Sequence, residues 1–327
     1  QALKAMGCEV VPLEWKLRSL DPIHELGVVG RISAVLRRVR PAVVFSFTFK
    51  ANFAVSLACL PLGIPYVTNV SGLGTAFLSG HPAHRVVRRL YGFANARAHA
   101  TFFQNPSDME HFRLIRLSTG RRTAVLPGSG VNTEHFAFDP LDRPARSFIM
   151  VARLIAEKGV VEYLEAARRA RAVRPDLRFQ LVGPPETDGP GRVPLELVHS
   201  YADVVEYLGE LTDVRPALRR AESLVLPSYR EGMPRAVLEA ASMGRVALVS
   251  DVEGCRHAVE HGVTGLLFEA RSADALARAI LELADHDAER VSAMSYAAGR
   301  LAAERFSERH CIEPYLALFA ELSARRR

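Results

Sequence analysis

A chain of 327 residues, 49% hydrophobic and 24% charged, has material for two α/β domains and is not a disordered, collagen-like or coiled-coil chain. Its net charge of +6 is uneven: residues 1–144 hold 17 bases against 9 acids, and the remainder 25 against 27. An anionic partner is therefore expected at the first half and not at the second. The four cysteines, Cys8, Cys59, Cys255 and Cys311, lack C-x-x-C spacing and imply neither a disulfide framework nor a zinc knuckle.

The chain opens at Gln1 without Met, on a helix-like Ala2–Met6 and a strand-like Glu9–Leu13, and it reads as lacking its natural start. Between Pro41 and Val70 the only charge is Lys50, yet Pro61, Gly63 and Pro65 interrupt the run. A strand at Ala42–Phe47, a helix at Asn52–Leu60 and a strand at Pro65–Val70 explain it better than a membrane span. Strands follow at Thr101–Gln104 and Thr123–Leu126, around a helix at Pro106–Leu117. Pro127–Pro144 reads as an interdomain linker.

A second series starts at Ser147–Val151. Strands are expected at Arg178–Val182, Val204–Tyr207, Leu224–Leu226, Val246–Ser250 and Thr264–Phe268. Helices are expected at Val160–Val173, Val214–Arg220, Pro234–Met243, Ala273–Ala284, Ala288–Arg305 and Ile312–Ala324. Two successive β/α alternations predict two doubly wound domains, with ligands at the carboxyl ends of the strands.

Two loops of the second series carry chemistry. Ser228-Tyr-Arg-Glu231-Gly-Met-Pro-Arg-Ala-Val-Leu-Glu239 follows an apolar strand and opens a helix, with Pro234 where a missing N–H costs nothing. Free N–H groups around Pro234–Ala236, with the helix dipole, form an anion site of diphosphate size. The competing reading is an ordinary helix start with nearby acids. Val151-Ala-Arg153-Leu-Ile-Ala-Glu-Lys158-Gly159 lies just after the first strand of this series. Its Arg fork and Lys point charge can neutralise a phosphate pair. Both loops sit at carboxyl ends of strands of one sheet and can converge on one ligand.

Arg153…Lys158-Gly159, Glu231 with Glu239, and Asp251-Val-Glu-Gly254…Gly262-Val-Thr-Gly265-Leu-Leu-Phe268 together resemble the retaining glycosyltransferases of family 4. That resemblance implies the GT-B fold: two doubly wound Rossmann-like α/β domains facing each other across a cleft. Ser46-Phe-Thr-Phe-Lys50-Ala-Asn52, Ser71-Gly-Leu-Gly74-Thr-Ala-Phe77 and Phe102-Phe-Gln-Asn105-Pro106 are similar to the branch that extends lipid-diphosphate-linked glycans. In that family, positions matching Arg153 and Lys158 bind the donor diphosphate. Backbone N–H groups at Arg235 and Ala236 hold its distal phosphate, Glu231 with Gly232, Met233 and Pro234 holds the sugar, and Glu239 binds the ribose. On the acceptor side the resemblance points to Lys50, Ser71, Gly72, Gly74 and Asn105.

Sugar transfer leaves a nucleoside diphosphate whose new charge must be met by preplaced donors. The resemblance implies that no metal and no other cofactor is required. Asp285-His-Asp287 superficially matches a metal-binding D-x-D but reads as a capped joint between two helices. Three departures stand out. The family's opening strand and glycine-rich loop are absent before Gln1, and Ser71 lies nearest to the place where many relatives carry a His. His257 stands where relatives often have an acid.

In the first half, Val86, Val87, Leu90 and Phe93 recur at helical spacing, with Arg85, Arg88, Arg89 and Arg97 largely on other faces. The plain reading is a solvated basic helix face. The sharper one is docking to anionic phospholipid head groups or to a polyprenyl diphosphate. No nucleic-acid partner is expected, because no binding module or aromatic stacking run accompanies the charge.

The sequence thus predicts an acceptor-side domain over 1–143, a nucleotide-sugar domain over 144–311, and a C-terminal helix over 312–327 that packs back on the first. The expected activity is transfer of a sugar, with retention, from a nucleotide sugar (UDP-linked by preference) to a polyprenyl-diphosphate-linked saccharide. The expected place is cytoplasmic, peripheral at the inner face of the cell membrane. The alternatives are a UDP-sugar epimerase or hydrolase of the same fold, and a non-catalytic nucleotide-sugar binder.

Overall fold

The computed structural model describes residues 2–13, 15, 22–71, 82–115, 117, 120–187 and 191–324. It divides into two compact units, one of residues 1–125 with 316–327 and one of residues 126–315. In the first unit, helix α1 (Pro22–Val39) precedes strand β1 (Val44–Phe47), helix α2 (Phe49–Cys59) and strand β2 (Tyr66–Val70). Then come α3 (Pro82–Asn95), β3 (Ala100–Phe103), α4 (Pro106–Leu114) and β4 (Arg122–Val125). The four strands pair in parallel in the order β1-β2-β3-β4. β2 and β3 are buried throughout, which is why they lack polar/apolar alternation.

The charge-poor stretch 41–70 is thus a βαβ unit. No helix among the described residues is long and apolar enough to cross a membrane. A buried polar network ties its strand ends together. Ser46 Oγ donates to Asn52 Oδ1 (2.8 Å), Asn52 Nδ2 to the Asn69 carbonyl (2.8 Å), and Asn69 Nδ2 to the Ser46 carbonyl (2.8 Å). Each of these groups is removed from water, so each needs such a partner.

The second unit contains β5 (Ser147–Val151), α5 (Val160–Val173), β6 (Arg178–Val182), α6 (Leu195–His199) and β7 (Val205–Tyr207). It continues with α7 (Arg215–Arg220), β8 (Ser223–Leu226), α8 (Arg235–Ser242), β9 (Val246–Ser250), α9 (Glu253–Ala258) and β10 (Gly265–Phe268). Helices α10 (Ala273–Asp285) and α11 (Ala288–Arg305) follow, and α12 (Glu308–Ala324) begins in this unit and ends in the first. All six strands are parallel, in the order β10-β9-β8-β5-β6-β7. The chain moves outward from β5 to β6 and β7, then returns to lay β8 against the other side of β5. A topological switch point therefore lies between β5 and β8, where ligands of such sheets bind.

The structure differs from the expected bounds and faces at several points. Glu9–Leu13 forms no strand; its residues are mostly exposed and paired with neither sheet. The unit boundary falls at 125/126 and not at 143/144, because 126–143 is built into the second unit. Val131 bridges to Ser307, Ser242 Oγ donates to the Phe136 carbonyl (2.7 Å), and Ser295 Oγ accepts from Leu141 N (3.0 Å). Arg245, 1% exposed, donates to the Asp139 and Met243 carbonyls and pairs with the Asp139 carboxylate (3.3 Å). The C-terminal helix starts at Glu308 and not at Ile312; its part from Leu316 on belongs to the first unit, in line with the sequence reading, and there Glu321 pairs with the Arg122 guanidinium. On α3, Leu90 and Phe93 are 51% and 55% exposed while Tyr91 and Ala94 are buried. Among the described side chains the inward positions are therefore Tyr91 and Ala94 and not Leu90 and Phe93, while the side chains of Arg85, Val86 and Val87 lie outside the described residues.

Candidate functional site

The carboxyl end of β5 leads into Ala152-Arg153-Leu154 and a 3₁₀ turn at Ala156–Lys158. Gly159 closes that turn at φ +74 and opens α5. A Cβ on it would lie 2.1 Å from the Pro227 carbonyl oxygen, so only glycine lets the two loops touch. The carboxyl end of β8 leads into Pro227–Pro234. Here α8 begins at Arg235 with Pro234 as its N-cap residue, one position later than the sequence reading. Gly254, at the start of α9, approaches the backbone of the same loop. A Cβ there would be 2.4 Å from the Glu231 carbonyl oxygen.

These contacts bring Lys158 and Glu231 together across the switch point, with Nζ to Oε1 at 2.5 Å. Both side chains are largely removed from solvent, with 26% and 10% exposed. Arg153, more exposed, reaches back to Glu186 on the loop after β6 (3.2 Å). The first N–H groups of α8, at Arg235 and Ala236, have no acceptor among the described residues, whereas Val237 N donates to the Pro234 carbonyl (3.0 Å). Two open donors and the positive end of the helix dipole therefore stand beside an Arg and a Lys.

Glu239 lies one turn into α8 and accepts from Arg235 Nε (2.8 Å). Burial pushes its carboxyl above the usual range, and the guanidinium of Arg235 opposes that rise. Met233 is half-buried, its side chain packed against Gly128. Beneath the pair, Cys255 is fully buried, and burial, with the nearby Glu231 charge, drives its thiol pKa strongly upward. Arg153, Lys158, Gly232, Met233, Pro234, Arg235, Ala236 and Glu239 thus belong to two adjoining strand–helix loops of one sheet. That arrangement can hold a dianion by charge and backbone N–H groups, with carboxylates to accept hydroxyls.

Among the acceptor-side candidates, Lys50 lies in the first turn of α2 and not in a loop, and it pairs with Glu25 of α1 (2.8 Å). Ser71 is half-buried just beyond β2, while Gly72 and Gly74 lie outside the described residues. Asn105 lies just beyond the carboxyl end of β3, where the chain enters α4. It is 1% exposed and caps α4, its side chain accepting from Asp108 N (2.7 Å) and donating to Asp108 Oδ2 (3.1 Å). An N-cap before Pro106 accounts for it without a ligand. The D-x-D-like triplet is a helix joint in which Asp287 caps α11 (2.8 Å to Arg290 N).

Sequence reasoning missed Glu186, the partner of Arg153, and Tyr229, whose N–H donates to the Glu157 carbonyl and whose hydroxyl donates to Glu162 Oε1. Glu186 follows a Gly-Pro-Pro turn after β6, and only the strand order places that turn beside β5.

Fold and site together define a GT-B glycosyltransferase, and comparison with known proteins agrees. Residues 1–128 match the family model "Glycosyl transferase 4-like domain" and residues 145–286 match "Glycosyl transferases group 1"; the chain belongs to this glycosyltransferase family. It is 29% identical, over 98% of its length and 87% of the relative, to an N,N'-diacetylbacillosaminyl-diphospho-undecaprenol α-1,3-N-acetylgalactosaminyltransferase of Campylobacter jejuni. It is 31% identical, over 82% of its length and 73% of the relative, to an Escherichia coli UDP-Gal:α-D-GlcNAc-diphosphoundecaprenol α-1,3-galactosyltransferase. In fold it resembles Anabaena HepE in complex with UDP, at TM-score 0.76, 17% identity and coverage of 91% of this chain and 84% of that one.

Proposed function

We propose that this glycosyltransferase moves a hexose, with retention, from a nucleoside diphosphate sugar to a saccharide linked to a polyprenyl diphosphate. UDP is the preferred nucleotide. The observation that carries the reading is the Lys158–Glu231 pair beside the open N–H groups of Arg235 and Ala236. The two relatives named above act on undecaprenyl-diphosphate-linked sugars, and HepE was crystallised with UDP, which supports both substrate classes.

In this reading Lys158 exchanges Glu231 for the donor diphosphate, and Glu231 is released to accept hydroxyls of the sugar. Arg153 and the α8 N–H groups share the phosphate charge. When the bond from the anomeric carbon to the diphosphate breaks, the leaving oxygen gains charge against donors already in place, so no reorganisation is required. An acceptor hydroxyl then bonds to the same face of that carbon, and its proton passes to the departing phosphate. No protein nucleophile is needed, and no metal enters the proposal. Glu239 accepts the ribose hydroxyls.

The basic excess of the first unit is assigned to an anionic membrane surface that presents the lipid-linked acceptor, which places the enzyme peripherally at the inner face of the cell membrane. The test is transfer from a UDP-sugar to a lipid-diphosphate-linked acceptor by the full-length enzyme. Lys158→Ala and Glu239→Ala should each lower turnover at least about 100-fold, and undiminished transfer by both would overturn the assignment.

A further inference from the structure

We propose that Tyr229 is a positioning residue of the donor site, acting through Lys158 and Glu231 without touching the donor itself. The proposal rests on the reading above that Lys158 meets a nucleoside diphosphate.

Lys158 and Glu231 belong to loops that leave different strands, so something must fix the gap between them. Tyr229 does so from both ends. Its backbone N–H donates to the Glu157 carbonyl (2.9 Å), one residue before Lys158, and its hydroxyl donates to Glu162 Oε1 (2.6 Å), in the first turn of α5. The residue therefore straddles the 3₁₀ turn that carries Lys158, while its own chain reaches Glu231 two positions on. Gly159 removes the steric bar between the loops, and Tyr229 supplies the attachment.

The surroundings favour a fixed link. The Arg271 guanidinium lies over the Tyr229 ring, 4.6 Å from its centroid. Glu162 Oε2 is buried without a hydrogen-bond partner, so the Tyr229 hydroxyl is the one side-chain donor to that carboxylate among the described residues. Burial, with the Glu162 carboxylate, pushes the phenol up to about 12, which keeps it protonated and donating at neutral pH. Losing the hydroxyl would leave a buried carboxylate with no side-chain donor and release Lys158 from its place 2.5 Å from Glu231.

The experiment is calorimetric titration of the full chain with UDP, with thermal melting to confirm folding. Wild type binds and Lys158→Ala does not; a wild type that fails to bind UDP sinks the donor reading rather than this one alone. Tyr229→Phe and Glu162→Ala should each weaken UDP binding about tenfold. The double variant should be no weaker than either single one, because both remove the same link. Glu162→Gln, which keeps an oxygen for the Tyr229 hydroxyl, should stay within about twofold of wild type. Tyr229→Phe binding as wild type overturns the proposal, and so do losses that multiply in the double variant or a Glu162→Gln as weak as Glu162→Ala. If Tyr229→Phe does not fold, the contrast between the two Glu162 variants decides.

Discussion

Glu239 shows what burying a carboxylate costs, a cost that the proposed ribose contact would explain. It sits on the inner side of α8 with 13% of its side chain exposed, and burial raises its carboxyl against the pull of Arg235. A raised carboxyl pKa means that the folded state disfavours the ionised form. The penalty is present above that pKa and is relieved as pH falls through it. Glu239→Gln should therefore melt higher than wild type at neutral pH, with the difference closing toward acid, while its affinity for UDP falls because an amide accepts fewer hydroxyl bonds than a carboxylate. Melting curves and UDP titrations across pH check both halves. A Glu239→Gln that melts lower at neutral pH removes the argument. At this scale the sequence was informative for Glu231 and Glu239, whose spacing around a Gly-Met-Pro turn is visible along the chain. For Asn105 the sequence did not show the capping role, because an N-cap and a ligand-binding amide look the same until the Asp108 bonds are seen.

At the scale of elements, the site is the junction of two βα loops. Gly159 is where they meet, with φ +74 and no room for a Cβ against Pro227. Gly159→Ala should cost about 3 kcal/mol through strain and the forced retreat of the loop, lowering the melting temperature by about 10 °C. UDP binding should weaken as well, since the retreat separates Lys158 from Glu231. An alanine variant with unchanged melting and binding would show that the loops are independent. The strands were legible because buried parallel strands are continuous apolar runs. Glu9–Leu13, with Val10, Val11 and Leu13, read as a strand too, yet lies outside the described sheets. Periodicity records what a segment could bury, and pairing depends on what lies beside it. The same limit explains α3, where Leu90 and Phe93 were read as an apolar face and Tyr91 and Ala94 occupy the inward one.

At the scale of the whole molecule the charge asymmetry is larger than the sequence split showed. With the observed boundaries, the first unit holds 19 bases against 7 acids, a net of +12, and the second 23 against 29, a net of −6. Arg89 and Arg97 are exposed on or just beyond α3, next to exposed Leu90 and Phe93, with the Arg97 guanidinium 3.6 Å from the Phe93 ring centroid. If the first unit docks on an anionic surface, the chain should co-sediment with vesicles containing phosphatidylglycerol and not with phosphatidylcholine alone. Added salt should weaken that binding. Replacing Arg89 and Arg97 together by Glu should lower it at least about tenfold, at roughly 1 kcal/mol per charge. Equal binding to both vesicle types would rule the docking out.

The sequence by itself determined the two β/α series, the site loops and the acid and base pairs within them, because each depends on neighbours a few positions apart. Only the tertiary structure decided that residues 126–143 belong to the second unit, that α12 passes from one unit to the other at 315/316, and that Lys158 lies 2.5 Å from Glu231. Those facts rest on Arg245, Glu321, Gly159 and a strand order that sets β8 against β5, and groups so far apart along the chain leave no periodic mark in it.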